Sequence, residues 1–538
     1  MTRLNTKYPL VGLLMVGLLG LISCGNGDGG SNGTESDAEG AQDYVEDGTF
    51  IYGLSSDVGS LDPHFNPTSA GLGAARYAYD PLVHVDSEGE LSSGLAEEWE
   101  LEGDIVTFTL RDDVTCDDGS DLSASMVKEN LDFIGNPENA SPLLGTFVPP
   151  GAVVEADDEA GTVTLTLAGS APFVVEGLAN VMMVCDAGLA DREALSSEVF
   201  GTGPYELAEA APGDRYTYER REGYAWGPGG ISNDEPGMPA DVQLRVIENE
   251  TTAANLLLSG EINAASILGP DAQRLESLFS SSTYSVIGQQ WYNQTEGHAT
   301  QELEVREALT QALDLDELMT VFTGGEGART TQLAALEPTP CNDGDFTTFF
   351  PETDPEAANE ALEAAGWELG SDGVRSRGGE PLEVTFIYDT SVGAGGAAAS
   401  ELAVTAWEEV GVQVEANGVP TDEISEMIFG GGSWDVVWVG LNVNTPDQLV
   451  GMISGPSPLE GGQNFSSISN EDYDALVAEA MDLPGGEGCG LWFQAEEALI
   501  SQHNLVPFAN DEITVYANGA EFEVVGLLQP TSIRLYED

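Results

Sequence analysis

The sequence predicts an α/β fold (mixed α+β), because short strand-like runs alternate with helical stretches along the chain. The chain has 538 residues, of which 41% are apolar, so it can bury a large core as several domains or as one bilobal body. No repeat of fixed period is visible in the sequence, which argues against a solenoid.

Strands are predicted where β-branched and aromatic residues form short runs, over residues 49–54, 106–110, 161–167 and 412–415. Two glycine-rich segments, residues 393–396 and 430–432, interrupt the later part of the chain. Neither has the strand–loop–helix spacing of a phosphate-binding loop, so both are predicted to be turns.

Helices are predicted from apolar periodicity over residues 302–322, 356–365 and 401–409. The second of these has the clearest boundaries. Asp354 supplies an N-cap, Pro355 occupies the first helical position, and Gly366 follows the last turn.

Acidic residues dominate the composition, with 93 Asp and Glu against 16 Lys and Arg and a formal net charge of −77. Nucleic-acid binding and polybasic attachment to lipid are excluded, because both need clustered cations. A P-loop ATPase is excluded because neither lysine, Lys7 or Lys128, follows a glycine. We interpret the excess as a solvated surface suited to high salt or alkalinity; steering of cationic ligands is the alternative.

The amino terminus is predicted to be a signal peptide over residues 1–23, because Arg3 and Lys7 precede an apolar run too short to span a bilayer of about 30 Å. The run ends in Leu-Ile-Ser-Cys-Gly, which resembles the lipobox of bacterial lipoproteins. That resemblance implies a diacylated Cys24 on the outer face of the cytoplasmic membrane; an ordinary signal peptide is the alternative. Residues 24–48 are acidic and Gly-rich and are predicted to be a flexible tether.

Four further cysteines are present, and they show neither Cys-x-x-Cys nor His-x-x-x-His spacing. We therefore predict no metal site and no cofactor. The four thiols allow three disulfide pairings, and buried free thiols are the alternative.

Twelve short motifs follow one another in a fixed order between residues 49 and 530. They are Ser60-Leu-Asp-Pro63, Tyr79-Asp-Pro-Leu82, Leu95-Ala-Glu-Glu-Trp99, Phe108-Thr-Leu-Arg111, Asp118-Gly119, Gly201-Thr-Gly-Pro-Tyr205, Arg221-Glu-Gly-Tyr-Ala-Trp226, Asn293, Val305-Arg-Glu-Ala-Leu309, Ala312-Leu-Asp314, Ala364-Ala-Gly-Trp367 and Gly373-Val-Arg375. This order resembles family 5 extracellular solute-binding proteins, the peptide/nickel-type receptors of ABC importers.

The resemblance implies a two-lobed, periplasmic-binding-protein-like clamshell with a subdomain inserted in lobe I. Lobe I would comprise residues 49–72, 198–288 and 506–538, the inserted subdomain residues 73–197, and lobe II residues 289–505. On this architecture we favour the disulfides Cys116–Cys185 and Cys341–Cys489, because each then lies within one lobe.

The resemblance also implies a monomeric receptor that captures a peptide or peptide-like solute and delivers it to a membrane permease and its ATPase. It implies no chemistry, and an enzyme is not predicted, since residues 53–59 miss the Gly-x-Ser-x-Gly spacing of a nucleophile elbow. A receptor for a neutral oligosaccharide-like solute and a sensor not coupled to transport are the alternatives.

Two departures from the family concern the ligand. Peptide-binding members hold the α-ammonium with an Asp in a motif that corresponds to residues 440–447, where this chain has Asn444, and Leu441 replaces a Trp. Dipeptide-binding relatives hold the carboxylate with an Arg of lobe II, and no basic residue lies between Arg377 and Arg534. A free dipeptide is therefore disfavoured. Asn444→Asp is expected to strengthen binding if the ligand carries an α-ammonium.

The predicted ligand-binding residues are polar side chains or glycines within these motifs: Ser60, Gly203, Tyr292, Asn293, Gly440, Leu441, Asn442, Asn444 and Thr445. Trp434 and Trp438 are interpreted as a core strand, with stacking on ligand as the alternative. Tyr224 and Trp226 are interpreted as packing of lobe I.

Overall fold

The structure is a computed structural model that describes residues 44–536 except 67, 268, 326 and 343. Predictions for the signal peptide, Cys24 and most of the tether therefore lie outside the described residues. What is described belongs to one compact unit, Asp43–Asp538. Within it, every helix is too short or too polar to cross a lipid bilayer.

The described strands are, in chain order, β1 Thr49–Leu54, β2 Val83–Val85, β3 Leu91–Ser93, β4 Ala96–Glu102, β5 Ile105–Leu110, β6 Val153–Asp157, β7 Thr162–Thr166, β8 Tyr205–Ala211, β9 Arg215–Arg220, β10 Asp241–Val246, β11 Ala264–Ser266, β12 Phe279–Tyr292, β13 Glu368–Leu369, β14 Arg375–Arg377, β15 Glu380–Pro381, β16 Glu383–Asp389, β17 Gln413–Val419, β18 Val436–Trp438, β19 Leu505–Ala517, β20 Ala520–Glu521, β21 Val524–Val525, β22 Leu527–Leu528 and β23 Arg534–Leu535.

The described α-helices are α1 Ser69–Ala78, α2 Ala124–Gly135, α3 Val174–Leu178, α4 Asp186–Ala190, α5 Glu250–Leu258, α6 Leu303–Gln311, α7 Leu315–Phe322, α8 Pro355–Ala364, α9 Gly393–Glu409, α10 Thr421–Gly430, α11 Val450–Ile453, α12 Glu471–Ala480 and α13 Cys489–Ser501.

Ten strands form one sheet in the order β17-β16-β18-β12-β19-β11-β1-β10-β9-β8. The long strands β12 and β19 lie at its centre and pair antiparallel along almost their whole length. Their register shifts around Gly288, where a Cβ atom would come within 2.6 Å of the Phe508 ring. Glycine is therefore required at this point of the strand pair.

The regions predicted to be lobe I and the inserted subdomain have separate apolar cores. The first core joins β1, β8, β9 and β10 with α1 and the carboxyl-terminal strands. The second lies between the four-stranded sheet β4-β5-β7-β6 and α2. Helix α1 packs in the first core through Ala74, Ala75, Tyr77 and Ala78, although the predicted insertion begins at residue 73.

Lobe II packs helices on both faces of its half of the large sheet, as expected for an α/β layer. One face carries α6 to α9 around Trp407 and Trp438, and the other carries α10 to α13 around Trp434 and Trp492. Both Trp434 and Trp438 are thus core residues, about 2% or less exposed.

Two local predictions were wrong. Residues 302–322 form two helices rather than one, because the Asp314 side chain accepts hydrogen bonds from the backbone N–H groups of Asp316 and Glu317 and begins α7 anew. The glycine-rich residues 393–396 form the first turn of α9 rather than a turn between elements. There, Gly395 lies against the backbone of Phe322, which leaves little room for a side chain.

Two disulfides are present in the structure, Cys116–Cys185 and Cys341–Cys489. The first joins the segment after β5 to the start of α4. The second joins a loop of lobe II to the start of α13.

Candidate functional site

A cavity of about 620 Å³ lies between the two lobes and the inserted subdomain. Lobe I contributes α1 and the carboxyl-terminal strands, the inserted subdomain contributes β2 and α3, and lobe II contributes the loop around residue 338 and residues 444–448. We call this space the interlobe cavity. Its volume is that of a small-molecule or short-peptide site.

The inserted subdomain touches lobe II at two places. At one place the Asn342 side chain donates a hydrogen bond of 3.3 Å to the Glu88 carbonyl oxygen. At the other the Gly485 N–H donates to Pro172 O at 2.9 Å, and the Phe173 ring packs beside Trp492. The described lobes therefore meet across the cleft rather than standing apart.

Two of the nine predicted ligand residues, Asn444 and Thr445, line the interlobe cavity. The Asn444 amide nitrogen donates to Leu336 O at 2.9 Å and to Pro338 O at 3.3 Å, so it also holds the loop in front of it. The Thr445 hydroxyl donates to the Asp447 carboxylate at 2.6 Å.

The other seven predicted residues lie outside the lining of this cavity. Tyr292 is buried inside lobe II, where its hydroxyl is 3.0 Å from that of Thr310. The Asn293 side chain donates to Trp434 O at 2.9 Å. Tyr292 ends β12 and Asn293 follows it directly, and helices cover both faces of this central strand.

Three of these seven attach the segment after β18 to β12. The Asn442 side chain exchanges two hydrogen bonds with the Val286 backbone, Leu441 N–H donates to the Gln289 side chain, and Gly440 lies against Val286 O. In this way their polar groups extend the sheet instead of facing solute.

The last two of the seven have roles within lobe I. The Ser60 hydroxyl accepts a hydrogen bond from Asp62 N–H at 3.2 Å. Gly203 N–H donates to Ala78 O at 3.0 Å, where the backbones approach too closely for a side chain.

The sequence predictions missed several charged side chains of the cavity. Asp80 is buried and accepts hydrogen bonds from Tyr224, Trp226 and Thr202 at 2.8 to 3.1 Å, and its burial raises its pKa. Tyr224 and Trp226 pack in the second core, that of the inserted subdomain, rather than in the lobe I core as predicted, and Tyr224 also lines the cavity.

Glu176 of α3 and Arg76 of α1 are the other missed charges that bear on function. Burial, together with the nearby Asp447 carboxylate, raises the pKa of Glu176 to about 7. The signal for Arg76 was present in the sequence, since it is the first basic residue after Lys7 and lies in an otherwise small and apolar helix.

Asn444→Asp is expected to destabilise the protein by about 2 kcal/mol, because two donated hydrogen bonds become repulsion between a carboxylate and two carbonyl oxygens. This local cost opposes the gain in affinity predicted from the sequence alone. Urea unfolding of the variant measures it, with the exposed Asn417→Asp as a control that adds the same charge. Equal stability of the two variants would contradict the prediction.

Comparison with known proteins places the chain among receptors. The family model for bacterial extracellular solute-binding proteins, family 5 Middle, matches residues 90–459. The chain belongs to this family. Its members are substrate-binding proteins of ABC importers, and this solute-binding protein has their receptor role.

The relatives differ in what they bind. This solute-binding protein is 22% identical over 510 residues to the oligopeptide-binding protein OppA of Bacillus subtilis (strain 168), covering 89% of each chain. It is 28% identical to the glutathione-binding protein GsiB of Pectobacterium atrosepticum, covering 60% of this chain and 62% of that relative.

Solved structures share the two-lobed fold. The substrate-binding protein from Microbacterium hydrocarbonoxydans complexed with 4-hydroxybenzoate hydrazide is 27% identical, with a TM-score of 0.67 over 90% of this chain and 99% of that one. The unliganded open form of the periplasmic murein tripeptide binding protein MppA is 18% identical, with a TM-score of 0.76 over 92% and 99%.

Proposed function

We propose that this receptor captures a peptide or peptide-like solute in the interlobe cavity and delivers it to an ABC permease and its ATPase. The observation that carries the proposal is the lining of the cavity, to which lobe I, the inserted subdomain and lobe II all contribute. A solute held there contacts all three bodies at once, so its binding favours the closed arrangement.

The charges in the cavity support a solute with charged ends. Glu176 lies in the inserted subdomain, and Asp447 lies close enough to raise the Glu176 pKa. An ammonium group placed beside Glu176 would offset this repulsion, and Glu176 lines the cavity. We assign Glu176 the role that Asn444 does not fill.

The assignment is tested with a defined mixture of synthetic di- to pentapeptides and neutral oligosaccharides in molar NaCl. Solutes retained with the protein on ultrafiltration are released and identified by mass spectrometry. Peptides with a free amino terminus are expected to be retained. Retention of oligosaccharides alone would instead support the second candidate, a receptor for neutral polyhydroxy solutes.

Peptide affinity is expected to rise between pH 5 and pH 7. Because the Glu176 pKa is raised to about 7, the carboxyl is neutral at pH 5 and ionises as the pH approaches 7, while a peptide amino group stays charged. Glu176→Gln should weaken binding about 10-fold at pH 7 and flatten the pH profile. Isothermal titration measures both.

The matched control for this prediction is Glu155→Gln, which removes an exposed carboxylate of the same subdomain. It should bind as the unaltered protein does at each pH. A pH profile that keeps its slope in Glu176→Gln would assign the ionisation to another group.

We infer that the receptor is tethered to the outer face of the cytoplasmic membrane through a diacylated Cys24 and residues 24–48. The lipobox-like segment and the family's extracellular role support this. In a membrane fractionation, the unaltered chain should sediment with membranes and Cys24→Ser should not. Equal distribution of the two proteins would refute the anchor.

The receptor is also expected to be a monomer. Light scattering of the Cys24→Ser chain, which is not held at the membrane, should give the mass of a monomer.

A further inference from the structure

Arg76 is a cation at the interlobe cavity without an anionic partner. It lies in the last turn of α1, lines the cavity, and donates through Nη1 to Val525 O at 3.1 Å and Leu527 O at 3.2 Å. Among the described residues, no carboxylate oxygen lies within 4 Å of its guanidinium. Its Nε and Nη2 groups have no hydrogen bond to that part of the chain.

This isolation is unusual in so acidic a protein. Most basic side chains of the described part have a carboxylate within 4 Å: Arg111, Lys128, Arg192, Arg215, Arg220, Arg221, Arg274, Arg329, Arg375 and Arg377. Within that part, Arg245, Arg306 and Arg534 also lack one. Arg306 is buried and donates to four carbonyl oxygens, and Arg534, which lines the same cavity, donates to the carbonyl oxygens of Thr531 and Ile533. Burial without a counter-charge lowers the Arg76 pKa to about 10. An uncompensated cation of this kind costs stability unless an anion joins it.

His84 adds a second free donor beside Arg76. It lines the same cavity, and its Nε2 atom is buried without a hydrogen-bond partner in the described structure. Burial and the Arg76 charge lower the pKa of His84 to about 3, so the imidazole is neutral and can donate through Nε2–H.

The carbonyl oxygens that hold Arg76 belong to the β21–β22 hairpin, which touches lobe II. A Cβ atom placed on Gly526, at the turn of this hairpin, would lie 2.9 Å from Glu337 O. Glu337 adjoins Pro338, whose carbonyl oxygen accepts a hydrogen bond from Asn444. Arg76 and Asn444 thus line the cavity from opposite lobes, and the contact between the hairpin and the Glu337–Pro338 segment links them.

We propose that Arg76 and His84 bind a carboxylate of the solute, so that lobe I supplies the anion subsite that lobe II lacks. The proposal rests on the proposed function, in which a peptide-like solute occupies the interlobe cavity. A guanidinium with two free donors matches the two oxygens of a carboxylate, and the neutral imidazole adds a third donor.

The test compares synthetic di- to pentapeptides as free acids with the same sequences as carboxyl-terminal amides, in molar NaCl. A set of small carboxylic acids and the corresponding amides is compared in the same way. The unaltered protein is expected to retain free acids about 10-fold or more over amides. Arg76→Gln should lose this preference, and His84→Ala should weaken it.

Two arginine variants serve as controls. Arg245→Gln removes an exposed cation that also lacks a carboxylate partner, and it should retain free acids as the unaltered protein does. Arg534→Gln removes the other arginine that lines the cavity. Loss of the preference in Arg534→Gln but not in Arg76→Gln would overturn the assignment. Arg76→Lys keeps the positive charge but removes the planar pair of donors of the guanidinium. Melting curves of every variant identify any failure to fold.

The outcomes separate the subsite from the function. Equal retention of peptide acids and amides by the unaltered protein refutes the subsite and leaves the peptide receptor intact. Retention of small carboxylic acids but no peptides, lost in Arg76→Gln, supports the subsite and refutes the peptide assignment. Retention of nothing from either set refutes both.

Discussion

Replacing both Cys341 and Cys489 by serine is expected to lower the free energy of unfolding by about 5 kcal/mol. The bond closes a chain segment of 148 residues, so its removal releases a large conformational entropy in the unfolded state. Urea unfolding followed by tryptophan fluorescence measures the change. A loss below about 1 kcal/mol would show that the unfolded chain is already compact there.

The same substitution should also loosen the closure of the cleft. Cys341 precedes Asn342, which contacts the inserted subdomain, and Cys489 follows Gly485, which contacts it at a second place. The disulfide therefore joins the two segments of lobe II on which the subdomain rests. Small-angle X-ray scattering of the solute-free variant should give a larger radius of gyration than that of the unaltered protein.

The matched control is the pair Cys116→Ser and Cys185→Ser. Its bond closes a segment of 69 residues, so its loss should cost about 4 kcal/mol. This bond lies away from lobe II, and the radius of gyration should not change. Equal expansion in both double variants would contradict the role assigned to Cys341–Cys489.

Salt is expected to raise the melting temperature by roughly 10 °C or more between dilute buffer and molar NaCl. Each kcal/mol added to the free energy of unfolding moves the melting temperature by about 2–4 °C in domains of 150–250 residues, so this shift corresponds to a gain of a few kcal/mol. The cause is the net charge of −77, of which the ion pairs of the described residues neutralise only a small part. At 1 M salt the Debye length falls to about 3 Å, and carboxylates at the surface then repel one another weakly.

Differential scanning calorimetry over a series of NaCl and KCl concentrations measures this response. The two salts should act alike at equal ionic strength if screening is the cause. Sucrose at equal osmolality should reproduce little of the effect, because it carries no charge. A flat response to both salts would refute the interpretation of the acidic composition.

Much of the fold could be predicted from local sequence. Strand β1 has the predicted bounds Thr49–Leu54, and Asp354 caps α8, because β-branched runs and capping side chains act through their neighbours in the chain. The ordered motifs likewise identified the family and its two-lobed fold. The division into α6 and α7 was missed, because apolar periodicity continues through Asp314 while the backbone does not.

The solute-facing residues were harder to predict. Tyr292 and Asn442 have side chains suited to binding a solute, yet both form hydrogen bonds within lobe II. Tyr292 contacts the Thr310 hydroxyl, and Asn442 contacts the backbone of β12. Arg76 stands out as the lone basic residue of a small and apolar helix, but it was overlooked because the sequence does not show that α1 ends beside the cavity.

The sequence by itself therefore determined the class of receptor, the two-lobed fold and the scarcity of cations, since these depend on composition, periodicity and motif order. Only the tertiary structure decided which polar groups face the solute. Burial and hydrogen bonding between segments far apart in the chain are what satisfy Asn442 inside the sheet and leave Arg76 without a counter-charge at the cavity.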